Sequence, residues 1–322
     1  MNPETKKELQ RLDGLEVDWN VPLAGHTSMR VGGPVSCLLR PLNLAGLRSA
    51  VQVLNYHHFP YFVLGRGSNI LVSDSAIRAA AISLECGFSW MRRLDCSGTV
   101  KAGAGLRLNR LLRFCLHESL SGFEFIAGIP GSVGGALCMN AGSNAGSMAD
   151  ICRDVVLLLP DGSLSLLSRD RLRFFYRRLE LPPGAVLLEA TFSFTPGSRK
   201  QIRQQVRALL TARKASQPWR LRSAGCAFKN PPGDFAGRLI EQAGLKGVRI
   251  GDAQISPLHA NFIVNLGQAR ARDVLELIKL ARETVFQRFG IHLELEIRVI
   301  ADNSLSPDQP ACGQGKTERV SA

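Results

Sequence analysis

Apolar residues recur at helical and strand spacing along most of the chain. Leu44, Leu47, Val51 and Leu54 repeat at three- and four-residue steps, which predicts a helix over 44–57 with one buried face. Leu108, Leu111, Leu112 and Cys115 predict a second over 108–118. Short apolar runs between turn residues predict strands at 61–64, 80–84, 99–102, 155–159 and 187–194. Residues 1–20 read as a short helical lead. Thr195-Pro196-Gly197-Ser198 reads as a linker. Beyond it, helices near 200–213, 234–243 and 271–289 and strands near 261–266 and 291–300 make a second mixed unit. From Asp302 the chain is rich in Ser, Pro, Gln and Gly and reads as a disordered tail. The expected class is α+β. A first region covers 21–196 in two parts, about 21–85 and 86–196, a second unit covers 197–301, and a tail covers 302–322.

Composition narrows the function classes. A chain of 322 residues, 45% of them hydrophobic, can bury a large core without staples. Its longest apolar runs, such as Val155 to Leu159, are far too short to span a bilayer, so no membrane partner is expected. Met1 to Arg11 is charged and polar and carries no export signal, so a cytoplasmic protein with reduced thiols is expected. None of the eight cysteines forms a CxxC pair or a short spacing with His, so no metal site is expected. The formal charge is +13. Eight basic residues and no acid lie between Arg199 and Arg222, and Arg199, Arg203 and Arg207 fall on one helix face. The run fits either a solvated basic helix or a patch that attracts a phosphorylated substrate. It lacks the aromatic interleaving of a nucleic-acid surface, so no nucleic-acid partner is expected.

Three glycine-rich segments stand out: Gly65-Arg66-Gly67-Ser68-Asn69 after a strand, Gly103-Ala104-Gly105, and Gly128-Ile129-Pro130-Gly131-Ser132-Val133-Gly134-Gly135 followed by Asn140-Ala141-Gly142. The Rossmann spacing fails, because Ile70 stands where the third glycine belongs. Any one segment is an ordinary turn. Together, in one strand-rich region, they fit a cradle for a diphosphate built from freed backbone N–H groups. Gly315-Lys316-Thr317 imitates the end of a phosphate-binding P-loop, but Pro310 occupies the position of the required glycine.

These blocks resemble, in order, those of the UDP-N-acetylenolpyruvoylglucosamine reductase (MurB) family. His26 to Pro34 looks like the family's opening, Gly65 to Asn69 like its GxGSN flavin-pyrophosphate loop, and Phe125 to Gly135 like its most specific block. Tyr176-Arg177, Ser223 to Pro231, His259 to Phe262 and Leu293 to Arg298 follow. The GxGSN loop alone points only to the wider flavoproteins related to vanillyl-alcohol oxidase, whose oxidases are the rival reading. The C-terminal blocks make the resemblance specific, and the short path from Tyr176 to the linker suggests the type II form. The resemblance implies a PCMH-type FAD-binding region, a separate substrate domain, noncovalent FAD and NADPH. It implies reduction of UDP-N-acetylglucosamine enolpyruvate to UDP-N-acetylmuramate in peptidoglycan precursor synthesis. A monomer is expected.

It also implies roles. Hydride passes through the flavin to the outer vinyl carbon, and the inner carbon then needs a proton while negative charge grows on the conjugated carboxylate. Arg177 matches the carboxylate-binding arginine. Glu296 matches a second catalytic position, as an acid that keeps its proton and donates a hydrogen bond. Strand alternation places Glu294 and Glu296 on one face. Cys226 stands where serine is commoner, and a thiol with an ordinary pKa of about 8.5 is a better acid than an alcohol. Gly65, Arg66, Gly67, Ser68, Asn69, Gly128, Ile129, Pro130, Gly131, Ser132, Val133, Asn140 and Gly142 look like flavin contacts. Lys229, Asn230 and Asn261 look like substrate contacts, together with Arg213 and Lys214, whose spacing does not say which of the two meets the diphosphate. His259 reads as structural.

Overall fold

A computed structural model describes residues 1–302 of the chain. The first sheet runs in the order Leu15–Pro22, Pro34–Pro41, Ile77–Ile82, Tyr61–Val63; the first pair is antiparallel and the others parallel. Its inner strands are buried on both faces, which is why they read as unbroken apolar runs. Cys37, Leu39, Ala80 and Ile82 face one core, and Leu38, Ala79 and Ala81 face another. Helix Leu44–Tyr56 covers the first face with Leu47, Ala50, Val51 and Leu54. Asn43 caps it by accepting from the Gly46 N–H at 2.9 Å.

The second sheet is antiparallel, in the order Leu164–Ser168, Cys152–Leu158, Val186–Ser193, Thr99–Gly103, Met91–Arg93. It shares its core with the first sheet: Leu39, Leu54, Val100, Leu111, Phe123, Val155 and Phe192 lie in one cluster. The third sheet, Arg222–Cys226, Phe262–Asn265, Ala253–Ile255, Arg249–Ile250, has its own core with helices Ala236–Gln242 and Ala271–Phe289.

This third unit is tied back to the first. Strand Arg298–Ile300 pairs in parallel with Ile70–Val72, directly after the first glycine loop. The Asp74 carboxylate accepts from the Ala271 and Arg272 N–H groups at 2.8 and 3.1 Å and so caps the long helix from another unit.

Several expectations need correction. The lead is helical only over Pro3–Gln10; Leu15–Pro22 is the edge strand of the first sheet, exposing alternate residues. The linker is pinned, since Thr195–Pro196 pairs with Leu120–Ser121. Helix Arg199–Ser216 packs on the first region, where Val206 joins its core with Leu209 and Leu210 against it. Its Arg199, Arg203 and Arg207 face solvent. The strand expected over 291–300 is regular only over Arg298–Ile300; before it there is a single bridge, Leu295 to Phe228. Alternation therefore does not hold there: the Glu294 side chain is 66% exposed and that of Glu296 15%. Cys37, Cys86, Cys96, Cys115, Cys152 and Cys226 are free thiols. Cys138 is disulfide-bonded, against the expectation of uniformly reduced cysteines. The expected tail beyond Asp302, with its Gly315-Lys316-Thr317 segment, lies outside the described residues.

Candidate active site

The first glycine loop leaves strand Tyr61–Val63 and turns sharply. Gly67 sits at φ +60°, and a Cβ there would lie 2.2 Å from the His26 carbonyl oxygen, so the turn requires glycine. The loop then meets the third segment closely: a Cβ on Gly65 would lie 2.9 Å from Ser132 Oγ. Hydrogen bonds fix the loops. Ser28 N–H donates to the Gly67 carbonyl at 3.0 Å, and Ser68 Oγ donates to the Pro130 carbonyl at 3.1 Å. Together with Ala104-Gly105 they wall one side of a cleft of about 940 Å³.

The other side comes from distant segments. Arg177 stands at the tip of the hairpin Arg173–Phe175/Arg178–Glu180 with φ +57°, a conformation costly for a side-chain-bearing residue and informative where it persists. Asn140 braces that hairpin: its Nδ2 donates to the Phe175 carbonyl and its Oδ1 accepts from Ala149 N–H, both at 3.0 Å. Arg177 Nη1 donates to the Gly142 carbonyl at 3.0 Å. Its Nε forms an ion pair with Glu296 Oε1 at 3.1 Å, the N–H itself pointing off the hydrogen-bond direction.

Cys226 ends strand Arg222–Cys226, and Glu296 is placed beside it because Glu296 N–H donates to the Ala227 carbonyl at 2.9 Å. Burial raises the Glu296 pKa and outweighs the Arg177 and Lys229 charges that oppose it. Burial, then the Glu296 charge, pushes the Cys226 thiol up to about 12 against Arg177 and Arg213. The ordinary thiol value assumed from sequence thus does not apply; the sulfur keeps its proton throughout the neutral range. Arg213 reaches the same space, its Nη2 donating to the Phe125 carbonyl at 3.1 Å, and burial lowers its pKa. The site therefore combines a protonated thiol and a carboxyl group whose proton affinity is raised by burial with guanidinium groups in a half-enclosed cleft, an arrangement suited to protonating a carbon while neutralising an adjacent anion.

The cleft gathers Gly65, Arg66, Gly67, Ser68, Asn69, Gly128, Ile129, Pro130, Gly131, Ser132, Gly142, Arg177, Arg213, Cys226, Asn230 and Glu296. Other expected residues fall outside its lining. Val133 is wholly buried in the core, and Asn140 braces the hairpin. Lys214 is exposed with its Nζ over the Trp219 ring, and Lys229 pairs with Glu294 at 3.2 Å. Asn261 is buried with its amide spent on Phe228. Arg66 lines the cleft but forms hydrogen bonds to both Glu85 oxygens at 3.0 Å, and Arg107 binds the same carboxylate.

Sequence reasoning left out Trp219, Ser223, Phe262 and Arg298, which also line the cleft, and gave His259, another lining residue, no binding role. Ser28 also lies on the wall, its Oγ donating to the Ser223 carbonyl at 2.6 Å. A signal existed for Ser28 and Arg298, which lie inside quoted blocks. None existed for Trp219, an exposed aromatic residue at the end of a basic helix. Among the described residues no group of three His, Cys, Asp or Glu could hold a metal ion, and no helix is long and apolar enough to cross a membrane.

The fold and cleft define a two-part flavin-binding oxidoreductase: residues 35–168 match the family model described as an FAD binding domain. The residues fit that group, since the glycine loops line one wall of the cleft largely with backbone, whose N–H groups suit phosphates, and the cleft continues to Cys226. Residues 217–300 match the model of the UDP-N-acetylenolpyruvoylglucosamine reductase C-terminal domain. The chain is 43% identical over 305 residues to the UDP-N-acetylenolpyruvoylglucosamine reductase of Syntrophobacter fumaroxidans, covering 94% of this chain and 88% of that one. It is 41% identical to the enzyme of that name from Desulforamulus reducens, covering 92% and 97%. The crystal structure of the Thermus caldophilus reductase (MurB) superimposes with a TM-score of 0.77 at 40% identity, covering 89% of this chain and 99% of that one. The chain belongs to the UDP-N-acetylenolpyruvoylglucosamine reductase family, flavoprotein oxidoreductases of peptidoglycan precursor synthesis.

Proposed function

We propose that this chain reduces UDP-N-acetylglucosamine enolpyruvate to UDP-N-acetylmuramate, taking electrons from NADPH, as a monomeric type II enzyme of the cytoplasm. FAD, bound noncovalently between the glycine loops, supplies the hydride relay between the two substrates. The observation that carries this reading is the convergence of Arg177, Cys226 and Glu296 at one end of the cleft whose other wall is the glycine loops.

Each residue then has a defined task. Arg177 holds the enolpyruvate carboxylate; its guanidinium, held by the Gly142 carbonyl and beside Glu296, and its fixed backbone suit it to an anion that gains charge in the transition state. Glu296, whose pKa burial raises, donates a hydrogen bond to that carboxylate in its protonated form instead of repelling it. Cys226 Sγ gives its proton to the inner vinyl carbon and regains one from solvent after turnover. Its raised pKa keeps the donor loaded at neutral pH. Arg213 adds positive charge beside Cys226 and Arg177, Asn230 binds the substrate from the cleft wall, and Lys214 and Lys229 attract its diphosphate from outside the lining.

The test is NADPH oxidation by the purified coloured protein under nitrogen, with and without UDP-N-acetylglucosamine enolpyruvate. Oxidation that depends on the enolpyruvate compound is expected. Oxidation indifferent to it, by a protein with flavin bound, would overturn the assignment.

A further inference from the structure

We infer that Asn261 is a positioning residue that holds Cys226 in register with Glu296 without itself meeting the substrate. The inference rests on the roles given above to Cys226 and Glu296.

The sheet alone does not hold this register. Strand Arg222–Cys226 pairs with Phe262–Asn265, but the ladder slips between Ser223 and Cys226, where Gly225 turns to φ +79°. Such a slip leaves the bulged residues unpaired, and the ladder ends at Cys226, short of Phe228. Asn261 supplies the missing pair. Its Oδ1 accepts from the Phe228 N–H at 2.9 Å, and its Nδ2 donates to the Phe228 carbonyl at 2.8 Å, all in buried surroundings. A primary amide matches a peptide's donor and acceptor at once, which neither a carboxylate nor a hydroxyl of that length does.

The backbone of Asn261 acts on the same segment. Ala227 N–H donates to the Asn261 carbonyl at 2.7 Å, and the Ala227 carbonyl accepts from Glu296 N–H. Lys229 N–H donates to the Glu294 carbonyl at 2.8 Å, closing the bridge between Phe228 and Leu295. Residues 226–229 are thus clamped between Asn261 on one side and 294–296 on the other. Asn261 is 3% exposed and does not line the cleft. Loosening the clamp moves the thiol relative to every charge around it, namely Glu296, Arg177 and Arg213.

The experiment uses full-length Asn261→Ala and Asn261→Asp with flavin bound. Asn261→Asp is isosteric; it keeps the acceptor for Phe228 N–H and turns an oxygen toward the Phe228 carbonyl. Three readings are taken: flavin content with thermal melting, steady-state kinetics, and the pH dependence of Cys226 alkylation by iodoacetamide followed by peptide mass spectrometry. The alkylation reading does not depend on which reaction the enzyme performs. We expect flavin content to be retained, kcat to fall roughly 10- to 100-fold with little change in substrate KM, and Cys226 alkylation to begin at lower pH. A raised KM with kcat retained would make Asn261 a substrate contact and overturn the inference. So would wild-type kinetics and a wild-type alkylation profile in a folded variant. If Asn261→Ala does not fold, Asn261→Asp is read by the same criteria. Should the wild type fail to reduce the enolpyruvate compound, the reaction assignment falls while the alkylation profile still decides the clamp.

Discussion

The two walls of the cleft are made in different ways. The glycine-loop wall is mostly backbone, held by Ser28, Ser68 and close contacts that only glycine allows, with Asn69 Nδ2 donating to the Glu296 carbonyl at 3.0 Å where the two walls meet. The reacting wall is side chains, brought together from a hairpin tip, a slipped strand and an irregular C-terminal segment. A backbone cradle tolerates side-chain change but not added Cβ atoms. A side-chain constellation depends on charge, protonation and angstrom-scale placement. Binding of the cofactor and chemistry on the substrate should therefore fail separately.

Substitutions on the two walls can break that separation. Cys226→Ala should slow steady-state turnover by roughly 10²–10⁴-fold, the usual worth of a general acid, while Cys226→Ser retains activity; a variant that loses its flavin as well would join the two walls. Arg177→Lys should cost about 10²–10³-fold in kcat, as loss of one preorganised donor does, with flavin absorbance unchanged. On the cradle side, Gly67→Ala forces a side-chain-bearing residue to φ +60° against the His26 carbonyl. The strain alone is roughly 1–2 kcal/mol, so flavin affinity measured by dialysis or titration should fall about tenfold or more, with Cys226 alkylation in the apoprotein unchanged.

A pH series sharpens the comparison at Glu296. Its pKa is raised, so its donating form is present below that pKa and lost as pH rises through it. Turnover should decline on the alkaline side of a value above the ordinary carboxyl range, and Glu296→Gln, which keeps a donor at all pH, should flatten that limb. The smallest effect belongs to Asp74→Ala, which uncaps helix Ala271–Phe289 and should cost about 1 kcal/mol of stability, read as a lower melting temperature with kcat intact.

The same contrast explains what was legible in the sequence. The cradle was legible because its signal is local: Gly65-x-Gly67-Ser68-Asn69 and Gly128 to Gly135 stand as continuous strings. The helices at 44–56 and 271–289 were legible because their periodic apolar faces are long. Leu15–Pro22 was misread because an edge strand with alternate exposed residues carries little apolar signal. The proximity of Arg177, Cys226 and Glu296 came only from resemblance, since no local rule brings a hairpin tip to a segment more than a hundred residues later. The roles assigned to Asn140 and Asn261 looked like ligand contacts because their blocks contain contacts. Their amides instead satisfy backbone groups at Phe175 and Phe228, a long-range need invisible in the local sequence.

The separation of the two walls is tested most directly by anaerobic rapid mixing of Cys226→Ala. Bleaching of the flavin absorbance by NADPH and its return on adding UDP-N-acetylglucosamine enolpyruvate are timed independently. The account predicts bleaching at the wild-type rate and a return slowed by roughly 10²–10⁴-fold. Slowed bleaching, or a return at the wild-type rate, would contradict it.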